Sequence, residues 1–332
     1  MSKIINVILC GGVGSRLWPL SRKECPKQYV KMFDNKSLLE LTIERNLHLS
    51  DQCIVVGSAN NHQLALASQN NYDFIFNNII EATPRNTAPA IAFASLFADP
   101  DDILLVTPSD HVIDNPEGYN SALQQGIALA GEGSIVTFGI IPSKPETGYG
   151  YIEYGGVDVI SFREKPDIET AETFVKSGNF LWNSGMFCFK AGVLLAELEK
   201  YNPELFQASQ NAWKSRDENG LIDLELSMKI PSISIDYAVM EKSDKIKVVP
   251  ATFDWSDLGS FEAVYDYLRS KGHPVDADGN MVIGCPVSAH FVGMQNAIFV
   301  HTPDAYLILQ KEASQDVKKL YEQLLWTQNV LI

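Results

Sequence analysis

Residues 9–20 read Leu-Cys-Gly-Gly-Val-Gly-Ser-Arg-Leu-Trp-Pro-Leu, and Pro26-Lys27-Gln28 come shortly after. An apolar run, Ile4 to Leu9, leads into this turn, where Gly11, Gly12 and Gly14 permit positive φ and let backbone N–H groups approach a phosphate closely. Glycines alone do not distinguish one phosphate site from another. A dinucleotide turn wants an acidic residue about 20 to 30 residues on, ending the second strand, but that strand ends at Gly57-Ser58. A P-loop needs Gly-Lys-Ser/Thr, and here Ser15-Arg16 follows Gly14. What remains is a glycine turn followed by Arg16 and Lys27. A bidentate guanidinium and a point-charge ammonium suit a bent triphosphate.

Outward from the turn, short apolar runs alternate with helical periods: a strand over Ile4 to Leu9, a helix near Leu38 to Leu49, a strand over Cys53 to Val56, a helix near Gln63 to Gln69. That rhythm predicts βαβ units and a parallel sheet. Ser37 and Glu40 form an S-x-x-E capping box at a helix start. Thr87 to Ala98 reads as a buried helix, and Ile103 to Thr107 as a central strand stopping at Pro108-Ser109-Asp110. Ligands gather at the carboxyl ends of such strands, which places Asp110 well. Beyond Val136 to Gly139 the strands shorten and alternate (Tyr151 to Tyr154, Val159 to Phe162, Met186 to Phe189), predicting a mixed sheet that builds a second lobe over the first. Helices are expected at Val193 to Lys200, Ser260 to Leu268 and Gln315 to Leu325. Turn residues at Lys271-Gly272-His273-Pro274 set the expected boundary between a domain of residues 1–271 and a module of residues 272–332.

Composition narrows the class. The 332 residues are 45% hydrophobic and 20% charged, ordinary globular values, and no run approaches the roughly 18 apolar residues of a membrane span. The N-terminus enters a strand without the features of a secretory leader, so export is not expected. Cys10, Cys25, Cys53, Cys188 and Cys285 are scattered without a C-x-x-C pair, which fits reduced thiols in the cytosol better than a disulfide framework or thiolate metal site. A net charge of −15 argues against nucleic-acid binding by the whole molecular field. Any nucleotide needs a local basic patch, and residues 16–31 supply Arg16, Arg22, Lys23, Lys27 and Lys31 against the single acid Glu24.

The G-G-x-G-S-R-L-x-P-L stretch with P-K-Q resembles the signature of the sugar-1-phosphate nucleotidyltransferases. Further along, EATPRNTAPAI (Glu81 to Ile91) resembles the segment typical of mannose-1-phosphate guanylyltransferases. TPSDHVI (Thr107 to Ile113), PETGYGYIEYG (Pro145 to Gly155), FREKP (Phe162 to Pro166), NSGMF (Asn183 to Phe187) and FDWSDLGSF (Phe253 to Phe261) continue the match in order. The resemblance implies an α/β, Rossmann-like nucleotidyltransferase domain with a mixed central sheet, followed by a short left-handed β-helix-like module that ends in a helix. It implies GTP and mannose 1-phosphate as substrates, GDP-mannose and pyrophosphate as products, and Mg2+ as the cofactor. By position in the family motifs the metal carboxylates are Asp110 and Asp257, with Asp254 as a nearby rival. Arg16 and Lys27 go to the triphosphate beside Gly14 and Ser15, while the turn from Leu9 through Gly11 to Gly12, with Asn86 and Pro108, is the expected base site. Gly150, Glu164 and Asn183 are implied for the sugar hydroxyls and Lys165 for its phosphate.

A sugar phosphate is already largely ionised at neutral pH, its second pKa being about 6, so no general base is required. Catalysis should consist of charge neutralisation and alignment of two repelling anions. The family association is a homodimer; residues 284–299 hold about one strand turn fewer than the module's usual length, leaving that contact open. Bifunctional relatives carry an isomerase domain after this point, and without it isomerase activity is not expected. The alternatives are the same fold acting on another sugar or base, such as glucose 1-phosphate, or a catalytically silent sugar-nucleotide binding protein. Retention of Arg16, Lys27, Asp110 and Asp257 argues against the latter, and the missing acid after the second strand against an NAD-dependent oxidoreductase. His111, Trp18, Trp182, Trp255 and Cys10 lie within motifs but read as structural.

Overall fold

The computed structural model describes residues 2–33, 35–327 and 331. Two units emerge from the chain's contacts, neither continuous in sequence. One comprises residues 1–11, 42–109 and 113–255, the other residues 12–41, 110–112 and 256–332. The division differs in kind from a cut at 271/272 because apolar residues after the glycine turn belong with the C-terminal part: Leu17, Trp18 and Leu38 share one buried cluster with Phe261, Val264, Met281 and Ile298.

The first unit is built on ten strands: β1 (Ile4–Cys10), β2 (Gln52–Ser58), β3 (Phe76–Glu81), β4 (Ile103–Pro108), β5 (Ile135–Ile140), β6 (Tyr151–Gly155), β7 (Asp158–Arg163), β8 (Phe180–Lys190), β9 (Leu221–Ile222) and β10 (Ile246–Pro250). Their spatial order is β9-β3-β2-β1-β4-β8-β5-β10-β7-β6. β1 runs parallel to both β2 and β4, and β2 parallel to β3, as the βαβ rhythm predicts. The antiparallel strands do not form a separate lobe. β8 pairs antiparallel with β4, β5 and β6, so the open edge of β4 is filled by β8 and one mixed sheet continues.

Alternation along β4 explains its apolar run. Leu104 and Val106 enter a core with Ile5, Val7 and the helices Thr87–Phe97 and Ala191–Tyr201, whereas Ile103 and Leu105 enter another with Val136, Phe138 and helix Pro116–Gly131. Both faces are covered, so the strand has no polar side.

In the second unit, Ser37 and Glu40 form the expected box: the Glu40 carboxylate accepts from the Ser37 amide at 2.7 Å, and the Glu40 amide donates to the Ser37 hydroxyl at 3.2 Å. Residues Met281–Ile283, Ala297–Thr302 and Ala305–Gln310 make a three-stranded sheet, with the first pair parallel and the second antiparallel. Buried Asn280 pins its entry, accepting from the Ala297 amide and donating to the Met294 carbonyl. Helix Val317–Trp326 follows.

Replacing Ser37 by Ala removes one cap bond and leaves the buried Glu40 carboxylate with fewer donors. The expected cost is about 1–2 kcal/mol in urea denaturation, and a midpoint matching the parent protein would show that the box carries no stability.

Candidate active site

Gly14 lies in the left-handed region at φ 74°, where it caps the single helical turn Ser15–Leu17. A Cβ there would stand 2.6 Å from the Lys27 Cβ, so the turn closes against Lys27 only because Gly14 has no side chain. The Lys27 amide donates to the Val13 carbonyl and the Gln28 side chain to that of Gly12, which ties the P-K-Q segment to the turn. The Arg16 guanidinium is exposed and pairs with no acid among the described residues.

Lys27 is buried, yet three oxygens surround its ammonium. Nζ lies 2.7 Å from Asp110 Oδ2, 2.6 Å from the Asp257 carbonyl oxygen and 3.4 Å from that of Leu258. Leu258, a fully buried residue, holds φ at 44°, a left-handed conformation that costs on the order of 1–3 kcal/mol in a non-glycine residue. The motif stabilises this bend locally, because the Gly259 amide donates to Asp257 Oδ1 at 3.0 Å and the Leu258 amide to the Ser256 hydroxyl at 3.1 Å. Burial works against the Asp110 charge, but the Lys27 ammonium, with His111 at 3.8 Å, holds its carboxyl below the usual range. The structure thus brings Lys27, Asp110 and Asp257 together. Asp254, the rival, is exposed, and its carbonyl accepts from the Asp114 amide. The groups that face Lys27 Nζ are the Asp110 carboxylate and the main-chain oxygens of Asp257 and Leu258, while Asp257 Oδ1 accepts from the Gly259 amide.

The first unit holds the remaining candidates. Leu9 and Pro108 face each other at the carboxyl ends of β1 and β4, where the Leu9 carbonyl accepts from the Ser109 amide, and Gly11 follows β1 directly. Asn86, at φ 75°, spends its carbonyl oxygen on the Thr87 amide and thereby caps the helix Thr87–Phe97. Gly150, Glu164 and Asn183 form a second cluster: a Cβ on Gly150 would lie 2.6 Å from Glu164 Oε2 and 3.5 Å from the Asn183 Cβ. Asn183 sits at a register shift in β8, where Gly185 has φ 72°, and its amide donates to the Gly150 carbonyl at 2.8 Å. Lys165 pairs with Glu164 rather than standing free.

Sequence reasoning missed two acids. Glu81 ends β3 and is buried, with Oε1 unpartnered among the described residues, and burial pushes its carboxyl up to about 7 despite a bond from the Arg85 backbone. The signal was present: it opens the EATPRNTAPAI segment at the carboxyl end of a parallel strand. Asp236 accepts from the Asn183 side chain at 3.0 Å, and burial followed by the Glu164 charge raises it to about 6. No motif marked it.

The nucleotidyl transferase family matches residues 5–271 of this chain. A mannose-1-phosphate guanylyltransferase from Klebsiella pneumoniae is 39% identical over 97% of this chain and 74% of its own length. A crystal structure described as mannose-1-phosphate geranyltransferase from Thermus thermophilus superposes with TM-score 0.85 at 29% identity, covering 97% of this chain and 99% of that one. Another, described as mannose-6-phosphate isomerase from Helicobacter pylori, gives TM-score 0.70 at 38% identity over 76% of this chain and 99% of that one.

The Glu81 carboxyl titrates higher folded than unfolded, so its stability contribution is greatest below the ordinary glutamate range and is lost as pH rises toward 7. Urea denaturation at pH 5 and pH 8 should show the parent protein losing on the order of 3 kcal/mol more than Glu81→Gln across that interval. Parallel pH profiles would contradict this environment for Glu81.

Proposed function

We propose that this chain, which belongs to the nucleotidyl transferase family, transfers GMP from GTP to mannose 1-phosphate and releases GDP-mannose and pyrophosphate. The observation that carries the reading is a set of relatives named mannose-1-phosphate guanylyltransferase, among them those from Klebsiella pneumoniae and Salmonella typhimurium at 39% and 40% identity. They align with 97% and 96% of the chain. A phosphate oxygen of the sugar attacks the α-phosphorus of GTP, and the bond from that phosphorus to the bridging oxygen of the β-phosphate breaks.

The residues have distinct work in this scheme. The backbone amides of Gly12, Gly14 and Ser15, with exposed Arg16, receive the triphosphate. Lys27 supplies a positive charge with little freedom to reorganise, since Asp110 and the Asp257 carbonyl already orient it. Asp110 and Asp257 would hold magnesium through their carboxylates, the hard oxygen donors which that ion prefers. When bound, it neutralises phosphate charge. Guanine offers N1–H and N2–H donors, for which Leu9, Gly11, Asn86 and Pro108 are the base candidates. Gly150, Glu164 and Asn183 take the sugar hydroxyls, and Lys165 its phosphate.

The same reading includes a homodimer and residence in a reducing cytosol, the latter supported by five free cysteines. The same reading assigns residues 1–271 to catalysis and 272–332 to a β-helix-like module, the latter supported by the parallel pairing of Met281–Ile283 with Ala297–Thr302.

Pyrophosphate release with GTP and mannose 1-phosphate, with and without magnesium, tests the reading, and glucose 1-phosphate and other nucleotides serve as parallel substrates. Turnover should require magnesium and be fastest with this pair. Asp257→Asn should lower kcat by about 10²–10³, the loss expected for one preorganised electrostatic contact. Binding of GDP-mannose without pyrophosphate release would leave a silent binding protein instead, and full turnover by the variant would remove Asp257 from the site.

A further inference from the structure

Asn183 has almost no hydrogen-bonding capacity left to recognise a ligand. Its side-chain oxygen accepts from the Thr137 hydroxyl at 3.1 Å and the Gly185 amide at 3.2 Å, and its Nδ2 donates to Asp236 Oδ1 at 3.0 Å. One N–H remains. The side chain beyond it, Asp236, opens an irregular wide helical turn, Asp236–Met240, whose last three residues are buried. Turns of this kind often mark functional sites because the extra residue re-aims a side chain.

Glu164 lies in the same neighbourhood. One of its oxygens pairs with Lys165, and the other points into the space that a side chain on Gly150 would fill. Its negative charge reaches Asp236, and the cation acting on Asp236 is Lys165, which also serves Glu164. Two half-enclosed carboxylates with a shared lysine are poorly compensated by the protein. Neutral donors would relieve them, and a ligand bearing adjacent hydroxyl groups supplies such donors in pairs.

We propose that Asp236 is a sugar-recognition residue, whose carboxylate, held by Asn183 and set beside Glu164, accepts a hydrogen bond from a ring hydroxyl of the sugar phosphate. The assignment rests on the reaction proposed above, and deepens it by naming a specificity determinant. Asp236 touches substrate, Asn183 positions it and keeps its one remaining N–H for a neighbouring hydroxyl, and Gly150 provides the room. The missing Cβ at Gly150 is part of the device: alanine would displace the Glu164 carboxylate on which the pairing depends.

The test compares the parent protein with Asp236→Asn and Asp236→Ala, reading KM for mannose 1-phosphate, KM for GTP and thermal midpoint. Asparagine retains an oxygen for the Asn183 bond but lacks the charge. It should therefore keep the midpoint and the KM for GTP while raising KM for mannose 1-phosphate about 10- to 100-fold, the loss of one hydrogen bond to a charged group. Among monodeoxy mannose 1-phosphates, one that is a poor substrate for the parent protein should be discriminated less by Asp236→Asn. A parent-like KM for mannose 1-phosphate in Asp236→Asn, with a defect only in Asp236→Ala, would overturn the proposal and leave Asp236 as a support for Asn183. If the parent protein uses another sugar phosphate and Asp236→Asn raises that KM, the choice of mannose fails and the role of Asp236 stands. If the parent protein uses no sugar phosphate, both fall.

Discussion

One buried ammonium organises the second unit of this protein. Lys27 Nζ sits between the Asp110 carboxylate and the backbone oxygens of Asp257 and Leu258, joining three chain segments that lie far apart in sequence. Burial of a charge is tolerated only when partners satisfy it, so each of those segments is constrained by the others. Gly14 is glycine because Lys27 stands where its side chain would be, and Leu258 accepts an unfavourable backbone conformation so that two carbonyls can turn inward. The strain and the missing side chain serve the same contact. Such stored distortion is expected where a site must be held in place before its ligand arrives.

The sheet makes a different contribution. Its parallel strands β1, β2, β3 and β4 end together, so Gly11, Ser58, Glu81 and Pro108 appear at one edge. Polar groups there face demands that the apolar core does not. Glu81 shows it most plainly, as a carboxyl with an unpartnered oxygen at a position where a hydrocarbon would have been more stable. The cluster of Gly150, Glu164, Asn183 and Asp236 departs from regular structure in the same way, with a register shift at Asn183 and an irregular turn at Asp236. In both places structure is given up to aim a polar atom.

Much of this was legible in the sequence, for reasons that can be stated. Local signals worked where the physics is local: the Ser37 and Glu40 box, the continuous apolar run of β4 and the glycine turn all declare themselves within a few residues. Lys27, Asp110 and Asp257 were legible through motif resemblance, although nothing in their spacing shows that they meet. Long-range pairing was not. The expectation of a second lobe failed because β8 covers the edge of β4, a choice that the alternation of each strand alone does not reveal. Asp236 escaped for the same reason, since its significance comes from Asn183, 53 positions away. Asn86 illustrates a third limit, since the sequence shows an amide there but not that its oxygen accepts from the Thr87 amide at a helix start.

The central claim is that Lys27 and Asp110 act as one unit in bringing the phosphates together. A double-mutant cycle on kcat/KM for GTP, with Lys27→Met, Asp110→Asn and the pair, measures that directly. The account predicts strong coupling, with the double variant scarcely worse than the poorer single one and an interaction energy at the upper end of about 0.5–3 kcal/mol. Losses that simply add would mean that the two residues act independently, and would contradict it.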